Sequence, residues 1–326
     1  MPDGVCLPAS DVTLAYFCVW LSATCSPDSI KCYLAHVRYL HDTSAFLRGK
    51  GFKWVPWAER PAVVRTLGGI KRQLGTPKKR KMPVTFEMLA RLRRRIFSSG
   101  ALFTHMGING LSLWACMLVG FYGFFRKDNL TIEKEGAFNN RATLKRGDFL
   151  FEADRVWIRV RHTKTLQAGE RFHWVPLERI RSCPLCPVAA LEALFRATDP
   201  ILRRQHGTKE IGGQFAFQVI AGKKQELRPM THAFLVDGFK RLAKEAGYDP
   251  GAYAGHSFRR GGASAAFDLQ APALLIKAQG DWASSCYEDY CQVSSERKIM
   301  LAKHMAAGAA AAMAVPVTKD SALQCK

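Results

Sequence analysis

Apolar positions recur at helical spacing through most of the chain and at strand spacing in one stretch. Ile30, Tyr33, Leu34, Val37 and Leu40 fall three and four apart, while Lys31, His36 and Arg38 lie off that stripe. Ahead of them, Ser26-Pro27-Asp28 supplies a hydroxyl cap, a proline for the first helical position and an acid for the first turn. The pattern therefore predicts a helix with a basic outer face. A further helix is expected after Arg60-Pro61, with Val63, Leu67, Ile70 and Leu74 inward and Arg65, Lys71 and Arg72 outward. Residues 1–75 thus read as a small helical domain.

Gly75-Thr-Pro-Lys-Lys-Arg-Lys-Met-Pro83 breaks that pattern. Glycine and two prolines stop helix at either end, and the run Lys78, Lys79, Arg80, Lys81 repels itself into an extended segment. Residues 76–83 read as a basic linker, and the same run has the composition of a nuclear localisation signal. Helical spacing resumes after a Thr85 cap, with Met88, Leu89, Leu92 and Ile96 on the stripe. An apolar helix over Leu111 to Phe125 is rich enough to form the centre of a core. From Phe149 to Leu177 the period changes to two: Val156, Ile158 and Val160 alternate with Trp157, Arg159 and Arg161, and Phe172 and Trp174 with His173 and Val175. Helices over Pro187–Ala197 and Thr231–Ala246 follow, the second stopped by Gly247. These patterns predict a mainly α fold with a small antiparallel β-hairpin or sheet: a helical N-terminal domain, a mixed α+β domain over residues 84–304, and a tail over 305–326.

Composition narrows the function classes. The chain has 326 residues, 48% hydrophobic and 23% charged, enough to bury two cores. Its net charge of +21 favours a polyanionic partner, nucleic acid before an anionic membrane surface. No apolar run is long enough to span a bilayer, and no secretory leader is evident at MPDGVCLPAS. The 10 cysteines are scattered through apolar helical contexts and read as reduced, intracellular thiols. Cys183-Pro-Leu-Cys186 has the spacing of half a zinc site, but no matching second pair follows, so no metal is expected.

The stretch from Gly255 to Val293 carries the chemistry. It opens on His256-Ser257-Phe258-Arg259-Arg260, continues through Leu274, Leu275, Ile276 and Ala278 to Gly280 and Trp282, and closes on Tyr287 and Tyr290. Charged groups are rarely buried without partners. Guanidinium and imidazole groups are the donors that grip a phosphodiester and stabilise charge on its non-bridging oxygens. A tyrosine hydroxyl can attack phosphorus and hold it covalently. The combination points to phosphoryl transfer on nucleic acid.

His256-x-x-Arg259 followed by Trp282 and Tyr290 resembles the C-terminal signature of the tyrosine recombinases, the phage-integrase family. The wording GHSFRRGGAS is most similar to recombinases of eukaryotic mobile elements of the DIRS and Crypton kind. The resemblance is weak in the first domain and specific from Arg126 onward. It implies that Arg126, after the apolar helix, is the first catalytic arginine, and that Lys164, between the two strands, protonates the leaving 5′ oxygen. Arg126 and Arg259 would clamp the scissile phosphate, His256 would take part in proton transfer, and Trp282 would pack against the phosphate. Tyr290 would form the 3′-phosphotyrosyl bond: it lies eight residues after Trp282, similar to the family's spacing, whereas Tyr287 lies nearer. The chain departs from the family at Asn129, where an acid is usual, with Asp128 one residue earlier.

The resemblance further implies that residues 1–75 are a core-binding domain, that residues 84–304 are catalytic, and that the protein works without a cofactor. Lys71, Arg72, Lys78, Lys79, Arg80, Lys81 and Arg260 are the candidate DNA contacts. The implied partner is double-stranded DNA, with a homo-tetramer on synapsed duplexes and a nuclear location if the source is eukaryotic. A type IB topoisomerase-like activity and an inactive DNA-binding derivative stay open as alternatives.

Overall fold

The computed structural model describes residues 8–49, 51–75, 80–97, 107–136, 141–162, 173–207, 211–221, 226–282, 284, 287–288, 299–300, 302–303 and 305–307. The chain divides into two compact units, residues 1–80 and 81–326. It is mainly helical with small antiparallel sheets. No helix among the described residues is long and apolar enough to cross a membrane.

The first unit holds α1 (Asp11–Ser22), α2 (Pro27–Thr43), α3 (Ala45–Gly49) and α4 (Pro61–Leu74). Ser26 caps α2 as expected, its side chain accepting from the Ser29 N–H at 3.2 Å. The buried face of α2 differs from the expected stripe. Ile30 and Leu34 are buried, but Tyr33 and Leu40 are exposed and His41 is buried instead. At 100° per residue, 30, 34, 37 and 41 share one narrow line, and 33 and 40 fall on its flanks. The buried imidazole is satisfied: Nε2 accepts from the Ala9 N–H at 2.9 Å, and Nδ1 lies 2.8 Å from the Val37 carbonyl. On α4, Val63 and Ile70 are buried, while Leu74, expected inward, is exposed at the helix end. The Asp11 carboxylate accepts from the Ala62 and Val63 N–H groups at 2.9 and 3.1 Å, so an acid at the start of α1 also closes the start of α4.

The second unit is built around α6 (Ile108–Tyr122), which is buried from Asn109 to Phe121 except at the half-buried Leu111. α5 (Phe86–Phe97), α8 (Pro187–His206), α9 (His232–Glu245) and α10 (Ser257–Asp268) pack around it. The expected stripe of α5 holds, with Met88, Leu89, Leu92 and Ile96 all buried behind a Thr85 cap. α6 ends three residues earlier than the hydrophobic run suggests, because Phe124 adopts a left-handed backbone (φ 52°). The short helix α7 (Lys127–Leu130) follows.

Strands β1 (Phe149–Phe151), β2 (Arg155–Val160) and β3 (His173–Glu178) form an antiparallel sheet with Val160 opposite His173. Val156, Ile158 and Val160 face the core, as the alternation requires. A second sheet of β4 (Gln218–Ala221) and β5 (Glu226–Pro229) has no counterpart in the expected elements. Its strands are short, and a side-chain amide fixes one of them: Asn109 donates to the Ile220 carbonyl at 3.1 Å and accepts from its N–H at 2.6 Å. α8 continues to His206 beyond the expected Ala197, through an internal Pro200. α11 (Ala273–Gln279) closes the described fold, and it buries Ile276 while leaving Leu274 and Leu275 exposed.

Candidate active site

The site lies where the ends of α6, α10 and α11 meet the three-stranded sheet. Gly262 makes the closest approach of α10 to α6, and Gly261 beside it makes a similar one to the segment before α5. A Cβ at Gly262 would stand 1.9 Å from the Phe121 carbonyl oxygen, and one at Gly261 would stand 2.1 Å from the Val84 carbonyl oxygen. Only glycine permits α10 to touch the end of α6 backbone to backbone. That contact brings Arg259, one turn earlier, beside the α6–α7 turn.

Arg259 is 2% exposed. Its Nη1 donates to the Phe124 carbonyl, and its Nη2 donates to the Gly280 carbonyl at 2.8 Å. Its guanidinium lies over the Trp282 ring, 3.9 Å from the centroid. Trp282 is itself buried, in a small cluster with Phe124, Ala263 and Ile276, against which Tyr287 packs. The left-handed backbone at Phe124 therefore has a use: it turns a carbonyl toward the arginine and a ring toward the indole.

Arg126 precedes α7 at the same cleft, whose lining includes Phe124, Asn129, His173, Arg259, Gln279 and Gly280. The Asn129 side chain accepts from the Arg126 main-chain N–H at 3.3 Å and donates to the Ala142 carbonyl at 3.2 Å. Asp128 faces another way: its carboxylate lies 3.0 Å from His232 Nε2, while His232 Nδ1 lies 2.8 Å from the Thr131 hydroxyl. The amide at the family's acid position thus secures the backbone of the arginine, and the neighbouring acid holds a histidine.

His256 stands at the start of α10, its outer side exposed. Its pKa is lowered from 6.5, first by desolvation against its packed neighbours and next by the Arg259 charge. Arg126 and Lys127 push the same way, and Asp128 opposes them. The imidazole of the free protein is therefore neutral at neutral pH, a state that can accept a proton.

Arg126, His256, Arg259 and Trp282 come together as one neighbourhood. Lys164, Tyr290, Lys78 and Lys79 lie outside the described residues. Lys71 and Arg72 are exposed on α4, and Arg80 is exposed. Arg260 and Lys81 instead bind main chain: Arg260 Nη1 donates to the Lys81 carbonyl at 2.7 Å, and Lys81 Nζ donates to the Gly251 carbonyl at 2.6 Å. With the Met82 and Val84 N–H groups bonded to Ala252 and Ser257, these bonds dock residues 81–84 onto the start of α10. Among the described residues no group of three potential metal ligands occurs, at Cys183 and Cys186 or elsewhere.

Sequence reasoning missed His173, Gln279 and Phe124 as parts of the site. The strand alternation places His173 opposite Val160, and with it at the mouth of the β2–β3 connection. Nothing in the sequence marks Phe124, whose role rests on its own carbonyl and reversed φ, or Gln279, which reaches the carbonyls of other elements.

No protein-family model matches the chain, and no curated protein sequence matches it. Solved structures do share its fold. The XerH site-specific recombinase bound to difH substrate, in its pre-cleavage complex, aligns with a TM-score of 0.51 at 14% identity, covering 90% of this chain and 70% of that one. Its post-cleavage complex on palindromic difH substrate gives 0.54 at 14% identity, over 90% and 72%. The Tn1549 transposon integrase in complex with transposon right-end DNA gives 0.53 at 10% identity, over 91% and 85%. The chain thus shares its fold with these recombinase and integrase structures. At these identities the likeness is one of fold, and the chemistry must be argued from the site.

Proposed function

We propose that this protein is a tyrosine recombinase that cleaves and rejoins DNA strands through a 3′-phosphotyrosyl intermediate, and that it is encoded by or derived from a mobile element. The observation that carries the reading is the convergence of two arginines on one cleft, with a tryptophan stacked on Arg259 and a neutral histidine within reach of both arginine charges, from three separate elements. A fold shared with recombinases solved on DNA, and the net charge of +21, support a DNA substrate.

In this mechanism the Tyr290 hydroxyl attacks the scissile phosphorus. The new Tyr–O–P bond forms as the bond to the 5′ oxygen breaks. His256 takes the phenolic proton, and Lys164 supplies a proton to the leaving 5′ oxygen. Arg126 and Arg259 offset the charge that builds on the non-bridging oxygens, and Trp282 holds Arg259 flat against them. Because the phosphodiester energy is kept in the phosphotyrosyl bond, attack by a 5′ hydroxyl reverses every bond change and rejoins a strand. Lys71, Arg72, Lys78, Lys79 and Arg80 are assigned to the phosphate backbone. Strand exchange by this route needs two duplexes, hence four copies, and in a eukaryotic source it takes place in the nucleus.

The test is a nicked half-site that traps the covalent complex, with the adduct read on a denaturing gel. Wild-type protein and Tyr287→Phe form it, and Tyr290→Phe does not. Adduct formation by Tyr290→Phe together with its loss in Tyr287→Phe overturns the assignment of the nucleophile.

A further inference from the structure

Three walls of the cleft are tied together by one uncharged side chain. Gln279, the last residue of α11, directs its Nε2 at the Tyr122 carbonyl (3.2 Å) and the Pro176 carbonyl (3.4 Å). Its own main-chain carbonyl lies 3.2 Å from His173 Nε2. Each of these partners borders a segment that the proposed chemistry uses. Tyr122 ends α6, just before the turn to Phe124 and Arg126. His173 and Pro176 lie on β3, where the chain returns from the connection carrying Lys164. Gly280, the next residue after Gln279, accepts from Arg259 and leads into Trp282.

The choice of residue follows from the acceptors. Both targets of the side chain are carbonyl oxygens from different elements, so two N–H donors are needed on one nitrogen at that reach. A carboxylate of the same length would set a negative acceptor against two acceptors, and a shorter side chain would leave both carbonyls unmet. The ring of His173 adds a third tie, so α11 is fixed to the sheet through side chain and main chain together.

We propose that Gln279 is a positioning residue for strand cleavage: it sets the distance between the Arg126 turn, the base of the Lys164 connection and the Arg259–Trp282 pair. The role rests on the strand-cleavage reading given above. Gln279 touches no reacting atom in this scheme. It acts through the segments it joins, and a displacement of about 1 Å in such a site can cost on the order of 100-fold in rate.

The experiment uses the full chain and the nicked half-site, comparing wild type, Gln279→Ala and Gln279→Glu. Affinity comes from gel shift, folding from the melting temperature, and the adduct rate constant from single turnovers at saturating DNA. The expected result for Gln279→Ala is a rate at least about tenfold lower with affinity within about twofold, because the DNA-gripping surfaces are untouched. Gln279→Glu is expected to be slower still at pH 8 and to recover relative to wild type as the pH falls, since a protonated carboxyl regains one donor. The ratio of Gln279→Ala to wild type stays flat over the same range. Wild-type rates in Gln279→Ala, losses that track affinity or melting temperature, or a flat pH ratio for Gln279→Glu each overturn the positioning role. An adduct missing from wild type itself sinks the strand-cleavage reading, and the positioning role with it, before any variant is compared.

Discussion

Adding one methyl group at Gly280 sets two effects against each other. The backbone there (φ −89°, ψ 1°) is open to alanine, so the loss of chain freedom in the unfolded state alone would stabilise the fold by about 0.4–1 kcal/mol. The new Cβ, however, would lie 1.9 Å from one carbon of the Trp282 ring and 2.3 Å from the next. The indole has little room to yield. Arg259 covers it at 3.9 Å, and the Phe124 and Tyr287 rings stand at 6.1 and 6.3 Å. Overpacking of this kind costs about 1–3 kcal/mol, so packing wins and the net loss is about 1–2 kcal/mol. For a unit of this size that is a fall in melting temperature of roughly 2–8 °C. Because the displaced ring carries Arg259 with it, adduct formation should fall by more than the stability change accounts for. Differential scanning calorimetry on a double-mutant cycle isolates the cause. In a Trp282→Leu background the ring is gone, and Gly280→Ala should become neutral or stabilising, a coupling of about 1 kcal/mol or more. An equal cost in both backgrounds, or a raised melting temperature for Gly280→Ala alone, refutes the reasoning.

Other outcomes follow from the same site. An NMR titration of the free protein should place the His256 inflection below 6.5, and Arg259→Gln should move it upward by removing a neighbouring charge. The unfolded chain takes up that proton first, so the contribution of His256 to stability is complete above about 6.5 and declines as the pH falls toward the folded value. Lys164→Ala should lose about 10²–10⁴-fold in cleavage and be largely restored on a substrate with a bridging 5′ sulfur, whose thiolate leaves without a proton. Arg259→Ala should not be restored, and equal defects of Lys164→Ala on both substrates exclude the acid role. Neutralising Lys78, Lys79 and Arg80 together should flatten the fall of log affinity with log salt by about 0.9 per lost phosphate contact, and an unchanged slope removes them from the DNA interface.

The elements that could be read from the sequence are those whose signal is local. The Thr85 cap, the stripe of α5 and the alternation of β2 each follow from neighbours within one or two turns, and each is found. Misplaced positions have tertiary causes. Tyr33 and Leu40 carry apolar surface that α2 leaves outside, because His41 finds hydrogen bonds within the core that no periodicity announces. The sheet of β4 and β5 is too short to show a period, and Asn109 fixes it from far along the chain. The site shows the same division. His256, Arg259 and Trp282 stand out by residue type, as charge and aromatic surface in an apolar context. Gln279 and Phe124 act through geometry, a reach between two carbonyls and a reversed φ, and amino-acid identity is silent on both.

The second glycine of α10, Gly262, has a mechanical consequence. At Gly262 α10 meets the end of α6 main chain to main chain, and no side chain stands at that point to let one helix slide over the other. The guanidinium that α10 carries and the turn that follows α6 form a fixed jaw. Arg259 therefore sits on a mount held in place by main chain rather than by side chains that could repack.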